Sequence, residues 1–208
     1  WSGPQKYFSR VSYSVVEELP AQEANLELAG TNKFLIPAVV RPLKRQLEFL
    51  QYLQLNKKDI PAKWHFHFAG DLDVNDEYCK ACMEVAATLP ELVTMHGYQA
   101  NINQWYTSAD ITLIISEREG LCRGMIESIS AGTPVISMEV TSAREILEAR
   151  QCGFVVGQND YPDLLARIND LINNPSLKSR FSENGMTTRK ELFDKSVVID
   201  VYEKAYAG

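Results

Sequence analysis

A basic surplus is missing from this chain of 208 residues: 21 Lys and Arg stand against 27 Asp and Glu, a formal net charge of −6. Nucleic-acid binders normally present a basic face or stripe, so no nucleic-acid partner is expected, although a handful of local cations can still serve a small anion. No apolar run approaches the roughly 20 residues that a membrane-spanning helix needs. The chain opens on Trp1 without Met, and no basic-then-apolar leader follows. It reads as a piece of a longer protein. Only four cysteines occur, Cys79, Cys82, Cys122 and Cys152. Cys79-Lys-Ala-Cys82 has metal-ligand spacing, but no second pair follows to complete a zinc ribbon. The motif also reads as a helix interior, too deep for a redox CxxC at a helix N-terminus. Packing thiols in a reducing cytoplasm are expected. Three common signatures are absent as well. The first strand–helix turn reads VVRPLKRQ where a dinucleotide site needs G-x-G-x-x-G, there is no G-x-x-x-x-G-K-[ST] phosphate loop, and there is no G-x-S-x-G elbow.

What the chain does have is alternation. Hydrophobic residues make up 45% and charged residues 23%, which suits one soluble globular domain. KFLIPAVV (33–40) precedes a helical stretch, 43–56, in which Leu43, Leu47, Leu50 and Leu53 keep a 3–4 spacing. WHFHFAG (64–70), LVTMHG (92–97), ITLIIS (111–116), PVISM (134–138) and GFVVG (153–157) read as further strands. Helices are expected through the cysteines to Ala87, over 102–109, 123–131, 143–149 and 161–173, and across roughly 176–205. Strands this apolar are covered on both faces, as in a parallel sheet. Six such units predict an α/β, Rossmann-like, doubly wound parallel sheet of about six strands with helices on both faces. Residues 1–30 lack the alternation and read as a lead-in segment; 31–208 form the domain.

In such folds ligands bind outside the carboxyl ends of the strands. The residues to inspect are therefore Arg41-Pro-Leu-Lys44-Arg45, Gly70-Asp71, His96-Gly97, Glu117-Arg-Glu119-Gly120 and Glu139-Val-Thr141-Ser142. Glu119 and Glu127 lie eight positions apart across a loop-to-helix junction, Glu119-Gly120-Leu121-Cys122-Arg123-Gly124-Met125-Ile126-Glu127. Gly120 and Gly124 let the backbone turn and approach a bound group. The N–H groups of the helix start make a site for phosphate oxygens, with Arg123 adding positive charge. Glu127 is the one charged residue from Gly124 to Met138. From the first turn of its helix it can favour the dipole, or it can accept both hydroxyls of a ribose. Arg41, Lys44 and Arg45 open the first long helix, where three cations oppose the dipole unless an anion binds; a solvated helix start is the plain alternative. His65 and His67 share one face of a strand with no third metal ligand placed beside them. His96 ends a strand on the ligand edge, where its side chain or backbone can touch a nucleotide base.

These residues carry a resemblance. Glu119 to Glu127, followed by SISAGTPVIS, resembles the E-(seven residues)-E signature and EAMA-x-G-x-PV continuation of retaining glycosyltransferases of GT-B fold. The chain is similar to the C-terminal domain of the glycosyl transferases group 1 family. WYTSADITLIISEREG and GFVVGQNDYPDLLARINDLINNP extend the likeness, which spans residues 33 to about 180. It implies that Arg41 and Lys44 hold a donor diphosphate with backbone N–H groups of Leu121, Cys122, Arg123 and Gly124. By the same likeness Glu127 holds ribose hydroxyls, and Glu119 contacts the donor sugar at the reacting carbon. The donor is a nucleotide-diphosphate sugar, with no separate cofactor and no catalytic metal. The reaction implied is hexosyl transfer to a glycan or lipid-linked acceptor in polysaccharide or glycoconjugate biosynthesis. The acceptor site then lies in an N-terminal domain that this chain lacks, so the fragment alone is expected to be inactive. A cytoplasmic enzyme is expected, with peripheral membrane association of the full-length protein left open. Two competing readings are a sugar-nucleotide epimerase half of similar fold and a non-catalytic nucleotide-binding or scaffolding module. Departures from the family pattern are Cys122 where Gly is usual, Val-Arg-Pro-Leu-Lys with either Lys44 or Arg45 as the working cation, and Thr141-Ser142-Ala143-Arg144-Glu145 in place of GG-x-x-E.

Overall fold

A parallel sheet organises residues 26–206, the part of the chain that the computed structural model describes. Its strands are β1 (Asn32–Pro37), β2 (Trp64–Ala69), β3 (Val93–Gly97), β4 (Ile111–Ile114), β5 (Val135–Met138) and β6 (Gly153–Val156). The spatial order is β3-β2-β1-β4-β5-β6, and every pairing is parallel. Helices α1 (Gln46–Leu55), α2 (Glu77–Ala87), α3 (Ile102–Ser108), α4 (Arg123–Ser130), α5 (Tyr161–Asn173), α6 (Pro175–Leu192) and α7 (Lys195–Tyr206) cover it. This is the doubly wound arrangement the alternation predicts.

The period-2 direction of strand side chains divides the core into two layers. Phe34 and Ile36 of β1 and Trp64, Phe66 and Phe68 of β2 meet Phe49, Leu50 and Leu53 of α1, together with α2 and α5. On the other face, Leu35 and Ala69 pack against Trp105 and Tyr106 of α3. Met125, Ile126 and Ile129 of α4 continue that layer with Ile114, Val135 and Phe193. The expected lead-in segment lies mostly outside the described residues. Its last part, 26–30, has no strand or helix, yet Leu26 and Leu28 pack against the α3 layer.

Several local expectations are corrected. The first long helix does not begin with the cations: a 3-10 turn (Pro42–Lys44) comes first, Arg45 takes a left-handed φ of 58°, and α1 starts at Gln46. Cys79 is not deep in α2 but in its first turn, where its N–H donates to the capping Asp76 carboxylate at 2.9 Å. Burial, not depth along the helix, keeps the thiols inert, raising the Cys79 pKa and pushing Cys82 up to about 12. The segment expected as helix near 143–149 is a π-helical turn (Arg144–Glu148). The long terminal stretch breaks at Phe193–Asp194 into α6 and α7. Phe193 is fully buried, and Asp194 accepts from the Ser196 N–H at 3.0 Å. Among the described residues no helix is long and apolar enough to cross a membrane.

Candidate functional site

The strand order reverses between β1 and β4, which are neighbours in space and distant in sequence. The chain leaves their carboxyl ends in opposite directions around the sheet, so a crevice opens there. Two clefts of about 190 Å³ and about 310 Å³ occupy it. Both are floored by Pro37 and Ala38 after β1 and walled by Arg123 and Gly124 at the start of α4. Close backbone packing sets the floor. Gly70 approaches so near that a Cβ there would stand 1.9 Å from the Ala38 carbonyl oxygen.

The smaller cleft carries the first charge constellation. Lys44 reaches across from the 3-10 turn and donates to Glu119 Oε1 at 2.5 Å, and Ser116 Oγ donates to the same oxygen at 2.6 Å. The turn is stitched to the β4 loop by the Glu117 N–H, which donates to the Leu43 carbonyl at 3.0 Å. Arg45 goes elsewhere, pairing with Glu48 at 2.8 Å and Glu117 at 2.5 Å. Of the two candidate cations, Lys44 is the one at Glu119. Arg41 is exposed and lines a separate depression with Asp71, Asp73 and Asp76, so the structure does not bring it to Glu119.

Glu127 stands in the larger cleft. It is the fifth residue of α4, beyond the first turn, so the dipole-capping role weighed for it does not apply. Its two oxygens are held from different sides: the Tyr106 hydroxyl donates to Oε2 at 3.1 Å, and Arg123 Nη2 donates to Oε1 at 3.1 Å. Leu121 and the buried Cys122 line the smaller cleft. Burial pushes the Cys122 thiol up to about 12, so it stays a neutral wall group. Neither Gly120 nor Gly124 has a left-handed φ. A Cβ at Gly120 would meet nothing within 4 Å. One at Gly124 would sit 3.4 Å from both the Pro37 ring and the Tyr106 hydroxyl. Close approach, not a tight turn, is what glycine serves at position 124.

His96 turns away from the crevice. Its Nε2 lies 3.0 Å from His67 Nδ1, and its ring meets Trp105 edge-on at 4.4 Å. A third imidazole therefore does stand beside His65 and His67, contrary to the strand-by-strand expectation. The tautomers follow from the partners. His67 Nε2 faces the Ala29 carbonyl at 3.0 Å, which can only accept, so neutral His67 takes the His96 Nε2 proton at Nδ1. This is a hydrogen-bonded chain rather than a convergent ligand set, and among the described residues no group of three or more His, Cys, Asp or Glu is arranged to hold a metal ion. In place of His96, the cleft is lined by Tyr98 and Gln99, and Gln99 donates to the His96 carbonyl at 3.0 Å. Sequence reasoning also passed over Ser116, Tyr106 and Gln158. Gln158 links the Ser116 and Glu139 carbonyls at 3.3 Å and 2.7 Å. Ser116 follows directly on an expected strand and was within reach of the same rule; Tyr106 and Gln158 had no local signal.

A model of the family described as glycosyl transferases group 1 matches residues 20–188. The putative glycosyltransferase EpsD of Bacillus subtilis is 26% identical over 152 residues, which is 73% of this chain and 39% of that protein. The C-terminal domain of LpcC, a glycosyl transferase group 1 family protein from Francisella tularensis, superposes with a TM-score of 0.69 at 21% identity, covering 81% of this chain and 89% of that one. HepE from Anabaena, solved in complex with UDP, gives a TM-score of 0.73 at 21% identity, covering 85% of this chain and 50% of that one. The chain thus spans well under half of the curated relative and about half of the HepE chain.

Proposed function

We propose, on the premise that this chain belongs to the glycosyl transferases group 1 family, that it is the donor-binding half of a retaining hexosyltransferase using a nucleotide-diphosphate sugar. The observation that carries this reading is the arrangement of the crevice. Lys44, Glu119 and Ser116 stand on one side of the α4 N-terminus, and Glu127 with Tyr106 stands on the other. A nucleoside diphosphate laid across that helix start would set its ribose hydroxyls on Glu127. Its phosphates would meet the N–H groups of Leu121 to Gly124 and the Lys44 ammonium. Glu119 would then face hydroxyls of the sugar. The UDP bound by the structurally similar HepE agrees with this class of ligand. Four unpaired thiols fit a reducing, cytoplasmic setting.

The chemistry asked of the site is electrostatic. As the bond from the anomeric carbon to the diphosphate breaks, negative charge collects on the leaving oxygens. Lys44 and the helix-start amides offset it without reorganising. Glu119 steadies the oxocarbenium-like sugar through its hydroxyls. Among the described residues no histidine lines either cleft, which favours transfer over an epimerase needing further acid and base groups there. The acceptor, a glycan or lipid-linked glycan, would be bound by the N-terminal half. Calorimetric titration with UDP, GDP and ADP tests the assignment. One nucleotide should bind, and Glu127→Ala should weaken it by about tenfold or more, as expected for lost hydrogen bonds to a carboxylate. Glu119→Ala, at the sugar end, should weaken the free nucleotide less. Equal losses would overturn the roles given to the two carboxylates.

A further inference from the structure

Glu127 has one neighbour that cannot move and one that can. The Arg123 side chain is 76% exposed, and its pairing with Glu127 is an i,i+4 contact on a helix surface, an interaction of small net worth that water and ligand readily replace. Tyr106 is the opposite. Its ring is 1% exposed, packed with Trp105 and Leu35 beneath β1, and its carbonyl accepts from Thr133 Oγ1 at 2.6 Å. The Tyr106 hydroxyl reaches Glu127 Oε2 past Gly124, where an added Cβ would stand 3.4 Å from the hydroxyl oxygen. Burial and the adjacent carboxylate raise the phenol well above its ordinary pKa, so it remains a donor at any working pH.

From this geometry we infer that Tyr106 is a positioning residue for nucleotide selection: its hydroxyl fixes the Glu127 carboxylate so that the remaining lone pairs face the cleft and accept two vicinal ribose hydroxyls. The inference rests on the donor-binding reading and deepens it. A carboxylate offers about four acceptor sites. Tyr106 takes one on Oε2, and Arg123 takes one on Oε1 that an arriving hydroxyl can claim. A glutamate on a helix otherwise samples several staggered rotamers, and ordering it would cost side-chain entropy at each binding event. The buried phenol meets that cost during folding. What it confers is discrimination for a ribose carrying both hydroxyls, not affinity for phosphate or base.

The test is a ratio, read on the 208-residue chain by calorimetry. The affinity of whichever of UDP, GDP or ADP binds is divided by that of its 2′,3′-dideoxy analogue. Two hydroxyls on a fixed carboxylate should make the unsubstituted ratio about 10 to 100. Tyr106→Phe deletes one oxygen atom and should bring the ratio to about 3 or less, while binding of the dideoxy analogue stays within about twofold. Thr133→Val, which frees the Tyr106 carbonyl, should give an intermediate ratio and serves as the second variant if Tyr106→Phe does not fold. In a Glu127→Gln background, adding Tyr106→Phe should leave the ratio unchanged. Equal loss of both ligands with the ratio intact would show a merely structural tyrosine and overturn the inference alone. An unsubstituted ratio near 1, or no binding of any of the three nucleotides, would instead overturn the donor-site reading from which it starts.

Discussion

His67 is fully buried between β1 and β3, with its neutral form required by both of its neighbours. Its Nε2 proton is committed to the Ala29 carbonyl and its Nδ1 lone pair to His96. Desolvation is the main cause that lowers its pKa to about 4, and His65 and His96 add to it. Unfolded, the imidazole would titrate near 6.5. Between those values the unfolded chain binds more protons than the folded one, so the stabilising contribution is complete above pH 6.5 and is lost as pH falls toward 4. The size is on the order of 3 kcal/mol. Urea unfolding midpoints measured at pH 7 and pH 4.5 should therefore differ more for the unsubstituted chain than for His67→Gln. A variant with the same acid sensitivity would show that other groups carry it. The same scale governs Lys44 and Arg45, adjacent cations that serve different carboxylates. Arg45, left-handed between the 3-10 turn and α1, sends its side chain to Glu48 and Glu117, while Lys44 points into the crevice at Glu119.

At the scale of elements, the loop after β5 carries a strained residue. Ser142 has a φ of 66°, the left-handed region that costs a residue with a Cβ roughly 1–2 kcal/mol. It stands at one of the glycines that the resembling family places there, so the chain keeps the backbone course without the residue that adopts it freely. Its carbonyl still accepts from the Ile146 N–H at 3.0 Å, and Arg144 pairs with Glu139 and Glu148 at 2.8 Å and 2.9 Å. Those pairs are exposed and contribute little, so the hydrophobic seat of Ile146 and Leu147 holds the turn. Ser142→Gly should raise stability by about 1 kcal/mol, seen as a higher thermal midpoint. A fall would mean that the Ser142 side chain makes a contact outweighing the strain. The break between α6 and α7 has a comparable physical origin. Phe193 is buried against the α4 layer while Asp194 turns the chain, and Val198 of α7 is buried on this same domain as well. Tyr202 remains 48% exposed.

For the molecule as a whole, the proposed donor-binding role makes the crevice one wall of a reaction site. It lies along the carboxyl edge of the sheet, where Lys44, Glu119 and Glu127 line its two clefts. Group transfer needs two reactants held in near-attack geometry with water excluded, and one wall supplies neither. The chain should bind a nucleoside diphosphate yet transfer sugar at least about a thousandfold more slowly than the full-length protein, given the share of catalysis that positioning supplies. Assays with a radiolabelled nucleotide sugar, run on both polypeptides, measure this. Comparable turnover would mean that this half contains the whole reaction centre.

Hydrophobic alternation by itself determined the six strands, their parallel pairing and the edge on which the site lies, because nearly all-apolar strands separated by helices have few ways to be buried on both faces. Position just past strand ends singled out the cations Arg41, Lys44 and Arg45 and the carboxylate Glu119, and Glu127 stood out as the one charge between Gly124 and Met138; their separate roles came only from the family resemblance. The reach of the sequence ended wherever a partner comes from a distant element. The meeting of Tyr106 with Glu127 depends on α3 and α4 packing side by side on one face. The His67–His96 pair depends on the register of β2 with β3. The division of labour between Lys44 and Arg45 depends on a single left-handed φ. Local sequence records which residues want burial and which carry charge; tertiary packing alone decides which of them touch, since each such contact joins segments that only the closed sheet brings within a few ångströms.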